Sequence, residues 1–415
     1  MKNLNSLEQA WKEKLIKDLG LETYNSLFKN TLEDIIISPF YSNNNKTKKL
    51  AYKFLFPHQW NILVEINSEN INVVKNELNN YIENDIKHII LKQNLDVNYK
   101  EILKKYSNNN LKIYIQSVNI KKMNEYTDDR ISFIIDQKTE IDKIEDLKNI
   151  IRNKFRININ SGEFKNKGSN IIQEIAFSLA LGNEYLQAYG SKVSKNISFE
   201  LTQGGNYFFE ISKIQVVRIL WALITKEYGN QVDDCIITAK PSLRNKTIKN
   251  YNNNLIRSTS ECMSGILGGC DFIKSIPYDA LFKEKNKFSQ RIMNNQLLIL
   301  KNETYLDNVC NAIEGSYYVS ELIQVIAEKS LLLFKKIEKK GGYIESFNSG
   351  YISNQIKNNS DSEKLLYKLN KKVLVGFNKY NEGLEFSSNK ELLKSKKIIK
   401  SLKHNIDRIA KSELN

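Results

Sequence analysis

Histidine is scarce in this 415-residue chain: His58, His88 and His404 are the whole set. None stands at ligand spacing from a second histidine, a cysteine or a carboxylate, so no metal site is expected. His88 opens an apolar run and His404 sits on a helical stretch near the end, and both read as packed or surface residues rather than catalysts. Cysteine is nearly as rare. Cys235, Cys262, Cys270 and Cys310 contain no C-x-x-C pair and read as buried thiols of a reducing compartment. There is no run of about 18 apolar residues to cross a membrane, and the opening "MKNLNSLEQAWKEKL" has no apolar signal core. A cytoplasmic protein without a membrane span is expected. The charge is lopsided, at +15, but the lysines are spread among Glu and Asp. No basic block carries interleaved aromatics, which argues against nucleic acid as the partner.

Hydrophobic residues reach 41%, enough for a full core. From Phe54 short apolar runs alternate with helical patterns. They are "WNILVEI" from Trp60, "HIILKQ" from His88, "LKIYIQ" from Leu111, "ISFIID" from Ile131, "FRINI" from Phe155, "NISFEL" from Asn196, "CIITAK" from Cys235 and "CDFIKS" from Cys270. Helical patterns lie between them, at 70–83, 145–153, 170–189, 207–228 and 252–267. Eight strands separated by helices predict an α/β fold, a closed (β/α)8 TIM barrel. The division is an N-terminal arm over 1–53, the barrel over 54–300 and a C-terminal helical extension over 301–415. In the arm, Ser6 and Gln9 suggest a capping box, and Leu7, Trp11, Leu15 and Leu19 form one stripe before Gly20. Such an arm docks on its own barrel or on another chain. In the extension, helices are predicted over 288–300 and 316–339, the latter ended by "KKGG", then an extended "VLVGFNKYNEG". A last helix carries Leu392, Ile399 and Ile406 at heptad spacing.

Three loops carry possible chemistry. "TQGGNYFFE" follows the sixth strand; Gly204 and Gly205 suit an anion cradle less well than a tight turn. "SGILGGCDF" reads as a helix end followed directly by a strand. "RININSGEFKNKGSNIIQE" runs from the fifth strand into a helix, where α/β barrels keep their catalytic groups, yet it offers only Glu163 as a candidate base.

The segments "IRSTSECMSGILGGCDFIKSIPYDALF", "FFEISKIQVVRILWALI", "GSYYVSEL" and "GFNKYNEG" resemble the methylmalonyl-CoA mutases, and "AWKEKLIKDLGLETYNSLFKNTLEDIIISPFYS" resembles their small (beta) subunit. The resemblance implies a (β/α)8 barrel followed, in catalytic chains, by a cobalamin domain with an Asp-x-His-x-x-Gly motif. No histidine here has Asp two positions earlier, and little chain follows "GFNKYNEG", so the cobalamin domain is expected to be absent. Catalytic subunits carry Gly-Tyr-His-x-x-x-Ala-Gly after the fifth strand. Here Ser161, Gly162, Glu163, Lys167 and Gly168 match it, with Gly for Tyr and Glu for His. The Arg-x-Ser-x-Phe that faces coenzyme A becomes Asn196, Ile197, Ser198, Phe199 and Glu200, and Glu200 is expected to repel a polyphosphate. Bulky residues in the first four strands suggest a barrel packed solid rather than threaded by coenzyme A. The resemblance therefore implies a non-catalytic small subunit, with no catalytic, cofactor-binding or metal residues of its own. Its partner would be a large subunit holding adenosylcobalamin, in a heterodimer that interconverts methylmalonyl-CoA and succinyl-CoA. The rival readings are a free-standing barrel enzyme using Glu163 and a basic scaffold or nucleic-acid-binding barrel.

Overall fold

The computed structural model describes residues 2–42, 59–68, 70–92, 110–116, 129–136, 155–230, 234–283 and 286–380. His58, His404, the helix predicted over 145–153 and the final heptad helix lie outside them.

The eight predicted runs form eight parallel strands. They are β3 (Asn61–Ile66), β4 (His88–Lys92), β5 (Lys112–Gln116), β6 (Ile131–Asp136), β7 (Phe155–Asn160), β8 (Ile197–Gln203), β9 (Ile236–Pro241) and β10 (Phe272–Ile273). They close in the order β10-β3-β4-β5-β6-β7-β8-β9, every neighbouring pair parallel. The period-two alternation of strands sorts their side chains. Ile66, Leu91, Ile115, Ile135, Ile159, Leu201 and Ile237 face outward into the main core. The opposite parity, including Leu63, Ile90, Tyr114 and Phe272, faces the lumen. Outside pack α3 (Ile71–Glu83), α4 (Gly162–Lys165), α5 (Ile171–Tyr189), α6 (Tyr207–Glu227), α7 (Asn253–Leu267) and α8 (Lys287–Asn302). Asn70 caps α3 by accepting from the Asn72 amide at 2.9 Å. A reciprocal box of Asn170 and Gln173 caps α5.

In the arm, helix α1 (Lys2–Leu19) starts upstream of Ser6, so Ser6 is not its cap. No Gly or Pro separates Lys2 from Ser6, and the helix propagates back through them. Gly20, at φ 79°, ends it as expected and leads into α2 (Leu21–Ser26). Trp11 lies 4.9 Å from the Phe40 ring, while Leu19 is exposed and the Leu7 side chain is outside the described set. A short antiparallel pair follows, β1 (Lys29–Asn30) with β2 (Ile36–Ile37). It docks on the chain's own helix α9 (Tyr317–Lys339), where Lys329 donates to the carbonyls of Glu33 and Asp34 at 3.0 and 2.8 Å.

Helix α9 stops at the predicted place, with Gly341 at φ 95°. Two further helices were not expected: α10 (Gly342–Asn348) and α11 (Tyr351–Lys368). "VLVGFNK" is a tight loop rather than an extended piece, closed by a Val375–Lys379 bridge and by Leu374 donating to Asn378 Oδ1 at 2.7 Å. Three cysteines are buried as expected, but Cys310 is exposed in the loop between α8 and α9.

Candidate functional site

The candidate site is the lumen with the loop after β7. At the N-terminal ends of the strands, Leu63, Ile90, Tyr114 and Phe272 pack with Ile134 and Ile236 into an apolar floor. Arg156 sits 5.6 Å from the Tyr114 ring and 5.9 Å from the Phe272 ring. His88 Nδ1 and the Tyr114 hydroxyl are 2.9 Å apart. Burial, joined by the charges of Lys112, Lys301, Arg156 and Lys87, pushes His88 down to about 4. An unfolded histidine takes its proton near pH 6.5, which folded His88 refuses until about pH 4, so stability present above pH 6.5 is lost as pH falls through that window. From pH 7 to 4.5 the native chain is expected to lose roughly 2–3 kcal/mol more than His88→Gln. Urea unfolding at each pH checks this.

Above the floor the lumen is not solid. The last inward position of four strand ends carries charge: Glu65, Lys92, Lys240 and Lys274. Lys274 Nζ bridges Glu65 Oε1 at 2.7 Å and Glu200 Oε2 at 2.5 Å. Lys92 reaches Glu65 at 2.9 Å, and Lys240 lies 3.9 Å from Glu200. Burial alone would raise the Glu65 carboxyl, but Lys274, Lys240 and Lys92 together hold it well below the usual carboxylate range. Glu200 behaves likewise: burial opposes Lys274 and Lys240, and the lysines win. Glu200 is thus neutralised from β9 and β10 and does not give the lumen the negative field expected of it. Between these groups remains a cavity of about 90 Å³.

The loop after β7 is committed to structure. Ser161 is buried, donates to Glu174 Oε1 at 2.6 Å and accepts from the Thr202 amide at 2.9 Å. A Cβ on Gly162 would stand 2.9 Å from Asn160 Oδ1 and 3.0 Å from Thr202 Oγ1, so any other residue would have to push these side chains aside. Glu163 is half-exposed, lies 3.9 Å from Lys167 and does not line the cavity. This removes the geometric basis for reading it as a catalytic base acting on something in the lumen. Helix α11 roofs the loop. Asn359 donates to the Gly168 carbonyl at 2.7 Å, Gln173 donates to the Gln355 carbonyl at 3.1 Å, and Arg244 spans Glu363 at 2.7 Å and Ser360 at 3.0 Å. Gly168, at φ 111°, lets the chain pass under Ser360.

Beneath the loop four charges are buried together. Lys213 Nζ meets Glu174 at 3.1 Å, Glu210 at 2.5 Å and the Thr202 carbonyl at 2.5 Å. Lys165 adds contacts of 3.7 Å to Glu174 and 3.3 Å to Glu210. The Glu210 carboxylate occupies the space beside Gly204, where an added Cβ would come within 2.8 Å of it. The glycine pair is therefore a turn whose anion is supplied by the chain itself.

Sequence reasoning located Ser161, Gly162, Glu163, Ser198 and Glu200 but missed Glu65, Lys92, Lys240 and Lys274. Their signal was parity: each stands two positions after an inward residue of its own strand, Leu63, Ile90, Thr238 and Phe272.

Residues 104–413 match the family described as Methylmalonyl-CoA mutase. The chain is 31% identical over 249 residues to the methylmalonyl-CoA mutase small subunit of Porphyromonas gingivalis, covering 57% of this chain and 40% of that protein. It is 30% identical over 236 residues to the methylmalonyl-CoA mutase of Rhizobium meliloti, covering 54% and 33%. It is 28% identical over 236 residues to the large subunit of P. gingivalis, covering 54% and 33%. The matched region thus spans well under half the length of these relatives. With three quarters of its length matched and the closed eight-stranded barrel in place, the chain belongs to the methylmalonyl-CoA mutase family.

Proposed function

We propose that this chain is the non-catalytic small subunit of a heterodimeric methylmalonyl-CoA mutase. Its partner is a large subunit that carries adenosylcobalamin and interconverts methylmalonyl-CoA and succinyl-CoA. The observation that carries the reading is the lumen. Its cavity measures about 90 Å³, against roughly 300–1,000 Å³ for pockets that enclose a ligand of cofactor or drug size. An acyl-CoA threaded along the barrel axis would have to displace the apolar floor and the Lys274 bridge.

The loop after β7 supports the same reading. Catalysis of a radical rearrangement needs donors aimed at a thioester oxygen. Here Ser161 and the Thr202 amide are spent on Glu174, and Glu163 lies outside the lumen. The partner is supported by the P. gingivalis relatives, one named small subunit and one named large subunit. It is supported also by the arm, which leaves Leu19, Leu21, Phe28 and Ile36 exposed.

The test is capture. Tagged full-length chain, co-expressed with the large subunit of its own host, is expected to retain it in a stable 1:1 complex. Failure to retain it would defeat the small-subunit reading.

A further inference from the structure

The described residues of the lumen carry more positive than negative charge. Among the described residues lining the cavity, four cations (Lys92, Arg156, Lys240 and Lys274) face two carboxylates, Glu65 and Glu200. Both carboxylates are already shared: Glu65 between Lys274 and Lys92, Glu200 between Lys274 and, at 3.9 Å, Lys240. That last separation is beyond hydrogen-bonding range. Lys92 and Lys240 keep 38% and 29% of their side chains accessible, so this charge can be reached from solvent at the end of the lumen opposite the floor. The remaining wall supplies short polar groups, Asn158, Asn160, Ser198 and Thr238, and the apolar floor closes one end.

A cavity of about 90 Å³ exceeds the roughly 10–15 Å³ that a single water needs. It has room for a tetrahedral oxyanion of five heavy atoms. Ammonium groups and amides at its wall are donors matched to such oxygens.

We propose that the barrel lumen binds one phosphate-sized oxyanion, seated on Lys240 and Lys92 above the apolar floor. The site uses side chains from β4, β7, β8, β9 and β10, so an occupied lumen ties distant strands of the barrel together. It is independent of the partner subunit, and its failure would leave the small-subunit reading standing.

The probe is inorganic phosphate, titrated calorimetrically into the full-length chain at fixed ionic strength, with chloride as the balancing salt. Saturable binding at one phosphate per chain is expected, with sulfate competing and extra chloride not. Lys240→Met is expected to weaken phosphate about tenfold, the loss of one charge-assisted hydrogen bond, and Lys240→Arg to restore most of it. Without phosphate, Lys240→Met is expected to lower the melt only slightly, because Lys274 still bridges Glu65 and Glu200; added phosphate is expected to raise the melt of the native chain and not that of the variant, and a purely structural lysine would leave the phosphate-induced rise intact. Absence of saturable binding to the native chain overturns the proposal, whatever the variants do. So does phosphate binding unchanged in Lys240→Met. If Lys240→Met fails to fold, Lys92→Met carries the same expectation of weakened binding.

Discussion

Lys213→Met is expected to destabilise the chain by about 3–5 kcal/mol, the range for removing one partner from a buried ion pair. Lys213 and Glu174 are fully buried and Glu210 nearly so. Burial alone would raise the Glu210 carboxyl, but Lys165 and Lys213 hold it below its ordinary value. With Lys213 gone, two buried carboxylates share Lys165 alone, and the Thr202 carbonyl loses its donor. The cost arises from the uncompensated charge more than from the lost attraction, so Lys213→Met with Glu174→Gln should be milder than the single change. Denaturant unfolding of both variants measures this. A single change costing under about 1 kcal/mol would mean that water reaches the cluster.

Removing residues 1–28 is expected to abolish or sharply reduce capture of the large subunit while leaving the barrel's melting temperature nearly unchanged. The structure divides the arm in two. Residues from β1 onward are tied to the barrel, with Ile35 in the main core, Lys329 bound to two arm carbonyls and Tyr41 against Tyr318 at 4.9 Å. Upstream, Leu19 of α1, Leu21 of α2 and Phe28 just after α2 are exposed. Trp11 already packs on Phe40, which makes the exposed residues better anchor candidates than the tryptophan. Obligate interfaces commonly bury more than about 2,000 Å² with apolar centres. Capture by the truncated chain equal to that by the full chain would move the interface elsewhere. A large fall in its melting temperature would make the arm a structural element first.

The barrel was legible because its signal is local. Seven of the strands are apolar runs of five to seven residues with their own alternation; β10 is the exception, with only Phe272 and Ile273 paired, and it is legible from its place after a glycine-ended helix. Helix α11 escaped because "NSGYISNQIKNNSDSEK" is mostly polar, and α10, the seven residues "GYIESFN" opening on glycine, is too short to show a period. The buried set of α11 is only Ile352, Ile356, Ser360 and Tyr367, a narrow stripe set among Asn, Ser and Lys. The reading of the loop after β7 as an altered active-site loop rests on family resemblance alone, since nothing in "SGEFKNKG" itself points to a histidine.

The lumen was read half correctly. Bulky residues of the early strands do form the floor, yet the upper layer is a salt cluster, not hydrocarbon. Glu65, Glu200 and Lys274 are brought together only by barrel closure, Glu65 and Lys274 standing 209 positions apart. Inward parity could have flagged each one singly. Their pairing is a property of the closed sheet.

The most direct measurement of the central claim is adenosylcobalamin-dependent turnover of methylmalonyl-CoA, assayed with the chain alone and with increasing large subunit. No turnover is predicted for the chain alone, with activity appearing on addition of the large subunit and levelling off at one large subunit per chain. Turnover by the isolated chain would contradict a non-catalytic role. So would large-subunit activity that rises without limit of stoichiometry and ignores the chain.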